Sequence, residues 1–349
     1  MSITLSSGRW TRRRFALAVP LCAALSAVGA PLAGAASAVP QRRVSRTLMG
    51  TTVDLVAEGA DVAALDQAMA AAFAEMERLE ALMSRYRSDS VVRRIGGAAG
   101  RFPVKVPAEV LAVLRTAQRL HAESGGAFDA TIGALDGWHF EPGHEAAPSD
   151  AAIAQALRLV QGRDLRVDMA RSTAYLARPG MALDLGGVAK LPILDAGLRV
   201  LEQRGVANAM VNGGGDVLVR GRSQGRPWRV GIRNPYLPDR LSGVLELSGR
   251  AVVASSGDYE RCFMQGSKRL HHVLDPHTGR PTEGVHGAVL TATEVAAVNG
   301  WGTALMVQGA ALGRHFHGRQ PGVELWVAGA TPAASWMSPG LQAALRPAA

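Results

Sequence analysis

The stretch ALDLGGVAKLPILDAG, Ala182 to Gly197, places an aspartate, a glycine pair and a lysine between two apolar runs. Met181–Leu185 is apolar enough for a buried strand, with Asp184 as its one interruption. Gly186 and Gly187 allow a tight turn and leave amides free at the start of a helix that runs to about Arg204. A helix N-terminus offers unpaired N–H groups and partial positive charge, which suits phosphate. Lys190 adds a point charge one turn in, and Pro192 is tolerable in a first helical turn. The same residues suit a packing bend between strand and helix. On their own they leave both readings open.

Before this stretch the periodicity is mainly helical. GTTVDLVAEG alternates like a strand, and Asp61 then caps a long helix carrying Leu65, Met69, Phe73, Met76, Leu79 and Met83 at three- and four-residue steps. A methionine-rich stripe of this kind reads as core. PAEVLAVLRTAQRLHAESGG is a second helix, with Pro107 near its start and Gly125-Gly126 past its end. Ser149 and Asp150 open a third, with Ile153, Leu157 and Val160 on one face. From Leu165 onward short strands dominate: LRVDM, STAYLA and MALDL, then ANAMVN, VLVRG, WRVGI, GVLELS and AVVASS after the helix. Helices early and strands later predict an α+β fold, with the early helices packed on antiparallel sheets.

Composition sets bounds on function. The chain has 349 residues, 48% hydrophobic and 19% charged, which suits a globular protein with a sizeable core. Residues 1–38 read as an export signal: a charged start, an apolar run from Phe15 to about Gly29, and small residues at Ala36 and Ala38. Thr11-Arg12-Arg13-Arg14-Phe15 has the order of a twin-arginine signal, and an arginine-rich ordinary secretory signal is the alternative. The apolar run is short and broken by proline, which argues against a retained anchor. Removing the four arginines of this segment takes the formal charge from +9 to +5, with no basic stripe interleaved with aromatics. Nucleic acid is therefore not an expected partner. One domain is expected over 39–349. Of the two cysteines, Cys22 leaves with the signal, and Cys262 alone forms no internal disulfide.

Several later segments could carry chemistry. VNGGGDVLVRG, Val211–Gly221, follows a strand with three glycines and an acid, suiting close approach to a planar ligand or a sharp hairpin. SSGDYERCF is followed by LHHVLDPHTGRP, where one of two adjacent histidines would face the core and the other a cleft, or either would bond within the turn. SGGAFDATIGAL sets Phe128 and Asp129 on an irregular segment, where an aromatic could flank a ring system. Each of these taken singly also has a structural reading.

Their order is more specific. MGTTV, SRYRSDS, GGAFDATIGAL with a following GW, DLGGVAK, NGGGD, WRVGIRNP, SGDYER, HHVLDPHTG and NGWGTALMVQG occur in the order found in one family. Over residues 44–310 the chain resembles the bacterial FAD:protein FMN transferases, the flavin-attaching ApbE family. The resemblance implies an ApbE-like fold and cleavage of FAD at its pyrophosphate. FMN would pass through a phosphoester bond to a threonine or serine hydroxyl of a target protein, releasing AMP with Mg2+ as metal.

By the same resemblance, Met49, Tyr86, Ala127, Phe128 and Asp129 would hold the flavin and adenosine portions. Asp184, Gly187 and Lys190 would lie beside the phosphates and ribityl chain. Asp258 and His272 would line the same cleft, with Lys190, His272 and Asp258 as the catalytic candidates. Magnesium would take the Ala189 carbonyl and an Asp-x-x-x-Thr motif on a late helix, here Asn299 with Thr303 in register at i+4.

Asn299 stands where the family usually has aspartate, so a negative charge is lost while a carbonyl oxygen is kept. AKLPILD is a second departure: the family commonly has glycine and an aromatic residue after the lysine, where this chain has Leu191 and Pro192. These departures keep open a flavin-binding or flavin-delivery protein with weak transfer, and an FAD pyrophosphate hydrolase. The expected acceptor is a membrane-associated flavoprotein, of nitrous-oxide respiration or a redox-driven ion pump, met in the periplasm after twin-arginine-type export.

Overall fold

In the computed structural model of the chain, residues 39–348 are described; the segment read as an export signal lies outside them. The chain enters through a hairpin, β1 (Gln41–Leu48) and β2 (Thr51–Glu58), turned by Met49 and Gly50. Both turn residues have positive φ, 53° and 71°, the backbone that a two-residue hairpin matched to strand twist requires. Helices α1 (Val62–Met83) and α2 (Val91–Gly97), strand β3 (Val104–Lys105), and helices α3 (Ala108–Glu123) and α4 (Asp150–Leu157) follow. Then come β4 (Leu165–Asp168), β5 (Thr173–Leu176) and the helix α5 (Gly186–Gln203).

The second half is mostly strands. β6 (Asn208–Gly213), β7 (Asp216–Arg220), β8 (Trp228–Arg233), β9 (Leu241–Leu247) and β10 (Ala251–Gly257) run in succession. They lead to β11 (Cys262–Gln265), β12 (Lys268–His271) and β13 (Val285–Ala292). The chain ends with helices α6 (Val295–Val298) and α7 (Trp301–Arg319), β14 (Glu324–Gly329), β15 (Trp336–Met337) and α8 (Pro339–Ala344).

Eight strands form one antiparallel sheet in the order β1-β2-β6-β7-β10-β13-β14-β15. Alternation along these strands divides their side chains between two cores. Leu55, Leu218, Val252 and Leu290 face the larger core with α1, α5 and α7. Val56, Val217, Val219, Val253 and Val289 face a smaller one with Trp228, Val230 and Ile232 of β8, Leu245 of β9 and Leu341 of α8. A strand covered on both faces needs apolar residues at successive positions, which is why VLV and VVA occur here.

Local chemistry explains the long helices. Asp61 caps α1 by accepting from the Ala64 amide at 3.0 Å, and Leu65, Met69, Phe73, Met76, Leu79 and Met83 are all buried. Gly197 of α5 lies against Met76: a Cβ there would come 2.8 Å from its sulfur. The missing side chain therefore sets how closely α1 and α5 approach.

Two expectations are corrected. Met181–Leu185 forms no strand; Ala182 makes only an isolated parallel bridge to Ile132. The segment lies beside residues 130–133, and a Cβ at Gly133 would come within 2.5 Å of Leu183 backbone carbon. Packing against a loop replaces a ladder. Pro192 is the seventh residue of α5, not part of its first turn.

Candidate active site

The start of α5 is held from several sides. Asp184 Oδ1 accepts the Gly186 amide at 2.7 Å, Oδ2 takes the Arg85 guanidinium at 2.7 Å, and the Asp184 amide donates to the Ala130 carbonyl at 2.8 Å. The segment around Ala127–Asp129 is thereby tied to the glycine turn. At Gly187 a Cβ would stand 2.7 Å from Thr303 Oγ1 and 3.1 Å from the Phe128 ring. Glycine is needed there because α7 and the Phe128 loop close on the backbone.

Lys190 points the other way. Its Nζ lies 2.9 Å from Asp216 Oδ2, while Asp216 Oδ1 accepts the Ser255 amide at 2.8 Å. One ion pair therefore joins the DLGGVAK and NGGGD segments. Gly214 closes onto the first hairpin, where a Cβ would meet Thr51 Oγ1 at 2.5 Å. Met49, at the tip of that hairpin, donates its amide to Glu80 Oε1 at 2.7 Å. Tyr86 is 71% exposed, with the Arg85 guanidinium 5.5 Å from its ring centre, leaving an open aromatic face beside Asp184.

The two histidines have different surroundings. His271 is buried, its Nε2–H donating to the Thr282 carbonyl at 2.9 Å, and burial lowers its pKa. His272 is partly exposed, yet its Nδ1 is buried without a protein partner among the described residues. Burial, reinforced by the nearby charges of Arg261, His271 and Lys190, pushes its pKa down to about 3. The ring is therefore neutral near pH 7. A buried polar atom with no partner is the kind of vacancy a bound molecule fills.

Asp258 receives Arg269 Nη1 at 3.0 Å and His286 Nδ1–H at 2.6 Å, so its carboxylate organises the turn between β10 and β11. Next to it, burial pushes the Tyr259 hydroxyl up to about 12. Asp129 is likewise occupied. Its oxygens accept from Thr131 N and Oγ1 at 2.8 and 2.6 Å and from Gly162 N at 2.7 Å. Its side chain clamps the loop, and much of the loop backbone is bonded as well: the Ala127 and Phe128 amides donate to Ser124, and the Phe128 carbonyl meets His121 Nδ1 at 3.1 Å. A cavity of about 620 Å3 opens beside this clamp, lined by His121, Gly126, Gln161 and His277 among others.

Asn299 and Thr303 do not share a helix face, as their spacing suggests. Asn299 ends α6, Gly300 turns the chain with φ of 80°, and Thr303 is the third residue of α7. Both nevertheless meet the start of α5. Asn299 Nδ2 donates to the Val188 carbonyl at 2.9 Å, and a Cβ at Gly300 would lie 3.6 Å from the Gly187 carbonyl. The carbonyls brought to this turn are those of Gly187 and Val188, two residues and one residue before Ala189.

Sequence reasoning missed Arg85, Asp216, Arg269 and His286 as partners of the candidate residues. Arg85 and Asp216 stand inside segments quoted above, but nothing local identifies the distant group each one meets. Arg269 and His286 follow only from the fold, which sets β12 and β13 around Asp258.

The fold and this cleft place the chain in a known class. A model of the ApbE family matches residues 49–327. A FAD:protein FMN transferase of Klebsiella pneumoniae is 36% identical over 225 residues, covering 62% of this chain and 68% of that protein. One from Salmonella typhimurium is 31% identical over 307 residues, covering 84% and 87%. Among solved structures, an ApbE protein from Thermotoga maritima superposes with a TM-score of 0.79 at 27% identity, covering 88% of this chain and all of that one. The flavin transferase ApbE of Vibrio cholerae gives 0.75 at 26%, with the same coverage. These relatives make the chain an enzyme of the flavin transferase class. It belongs to the ApbE family.

Proposed function

We propose that the chain transfers FMN from FAD to a threonine or serine hydroxyl of a protein acceptor, releasing AMP. The carrying observation is a convergence on α5 of matched family segments distant in sequence. Gly187 packs on Phe128 and Thr303, Lys190 pairs with Asp216, and His272, whose buried Nδ1 has no protein partner among the described residues, is near enough to Lys190 to feel its charge. In the reaction the acceptor oxygen bonds to the FMN phosphorus, and the phosphorus–oxygen bond to AMP breaks. AMP takes the electron pair, and the hydroxyl proton leaves to solvent or a nearby acceptor.

The residues divide this work. Lys190, held by Asp216, sets a positive charge beside the pyrophosphate without leaving an unpaired buried cation. The neutral ring of His272 offers a hydrogen bond to the nucleotide or the incoming hydroxyl. Asp258 ties Arg269 of β12 to His286 of β13. Met49 and Tyr86 supply apolar surface for the ring systems, while Phe128, buried against Gly187, backs the turn rather than facing a ligand.

The donors that would hold the ion are oxygen atoms: the Ala189 carbonyl of the family resemblance or the Gly187 carbonyl beside Gly300, with Thr303 Oγ1 and Asn299 Oδ1. All are neutral, and such a set fits magnesium when the substrate contributes the negative charge. Bound there, the ion would neutralise the pyrophosphate and orient it. Asn299 favours a second reading, flavin binding with slow transfer, because no carboxylate takes that position.

The acceptor we propose is a membrane-associated flavoprotein reached outside the cytoplasm. The twin-arginine order of Thr11–Phe15 supports this. The mature protein, incubated with FAD, magnesium and a target domain, should place flavin fluorescence on the target in a denaturing gel. Release of free FMN and AMP with an unlabelled target would point to hydrolysis. Unchanged FAD that stays bound would point to delivery.

A further inference from the structure

Pro192 and Asn299 lie more than a hundred residues apart, yet one carbonyl connects them. In an α-helix the carbonyl of residue 188 accepts from the amide of residue 192. Residue 192 is proline, inside α5, and has no N–H to give. Val188 is fully buried, so its carbonyl cannot rely on water. Asn299 Nδ2 occupies that vacancy at 2.9 Å. A carbonyl only accepts, so the atom facing it has to be the amide nitrogen rather than the oxygen.

We infer that Asn299 supplies the hydrogen bond that Pro192 withdraws from α5, and that this fixes Asn299 as a neutral oxygen donor, so that magnesium enters only with the FAD pyrophosphate. Aspartate cannot play the first part, because an ionised carboxylate has no N–H and would face the Val188 carbonyl oxygen with like charge. The second part follows from the neighbours. Asp184 is paired with Arg85 and Asp216 with Lys190, so the nearby carboxylates are already neutralised. Magnesium gives up its water reluctantly and is held in proteins mostly by carboxylates and phosphates. Among the described residues no group of three or more His, Cys, Asp or Glu could hold a metal. The proline and the asparagine thus form one unit, and the charge for the ion has to arrive with the substrate. This second part rests on the transferase reading; the first does not.

A double-mutant cycle tests the unit without any ligand. Asn299→Asp alone should lower the thermal midpoint by about 2–6 °C, because it leaves a buried carbonyl unpartnered. With Pro192→Ala the backbone N–H returns, and the same substitution should cost less than half as much. Equal costs in the two backgrounds overturn the coupling. Should Asn299→Asp fail to fold beside Pro192, Asn299→Ala in both backgrounds asks the same question without the charge.

Calorimetry tests the consequence. The natural chain titrated with magnesium alone should give no binding heat, and should give it once saturated with FAD. The double variant should bind magnesium without FAD. Magnesium binding to the natural chain alone, or none to the double variant, overturns the charge argument. FAD binding is followed separately by flavin fluorescence without magnesium. Its absence would count against the transferase reading while leaving the stability cycle intact.

Discussion

His272 carries a buried Nδ1 with no protein partner among the described residues, and this makes it a stability group as well as a candidate site residue. Its pKa lies near 3 against an ordinary value of 6.5, so below 6.5 the unfolded chain takes up a proton that the folded chain refuses. The stability it contributes is complete above pH 6.5 and drains away as pH falls toward 3. His272→Gln should flatten the fall in thermal midpoint between about pH 6.5 and 4, leaving a remainder of the same sign from the buried His271. FAD affinity, read by flavin fluorescence, should fall in the same variant. At this scale the sequence was informative about which residue types gather, less so about their use. Asp184, Lys190 and Asp258 stand at the cleft, but each is half of a pair whose other half is far away in the chain. Spacing reveals a local partner; it does not reveal Arg85 or Asp216.

Elements meet at the site through their ends: the start of α5, the start of α7 and the tip of the first hairpin. The break between α6 and α7 depends on Gly300, whose φ of 80° is a region other residues enter at a cost. A Cβ there would also run into Leu120 of α3. Gly300→Ala should therefore cost about 1–2 kcal/mol from backbone strain alone, and more with the clash, measured as a lower urea midpoint. It should also displace Asn299 and Thr303 from α5, lowering transfer together with stability. Helices α1, α3 and α5 were legible because their apolar spacing and caps are local signals. The missing strand at Met181–Leu185 was not, because its apolar residues pack on the loop at 130–133, a neighbour that periodicity cannot identify. The interior placement of Pro192 went unread for a similar reason: the helix tolerates it only because a side chain from another element covers the freed carbonyl.

For the whole molecule, the two cores share a single sheet. The larger core draws on β2, α1, α5 and α7 alike, and Val39 onward forms one compact unit. The chain begun at Val39 should therefore refold from urea without residues 1–38 and unfold in one cooperative transition by both fluorescence and circular dichroism. A mixture of early helices and late strands was readable from composition and periodicity. The layering was not, since the sequence of WRVGI or GVLELS does not say that their hairpin covers the sheet face opposite α1, α5 and α7.

Sheet order also sets a timetable. β2 pairs with β6, Val53 opposite Gly213, so the first hairpin is made early in synthesis but finds its partner only after β6 has emerged. Until then one backbone edge stands open, an invitation to pair with the wrong chain. Arg42, Arg43 and Arg46 on β1 place charge along the hairpin during this interval. A pairing of such long range forms slowly. The residues of this charged hairpin therefore leave the ribosome well before the strand that completes their pairing.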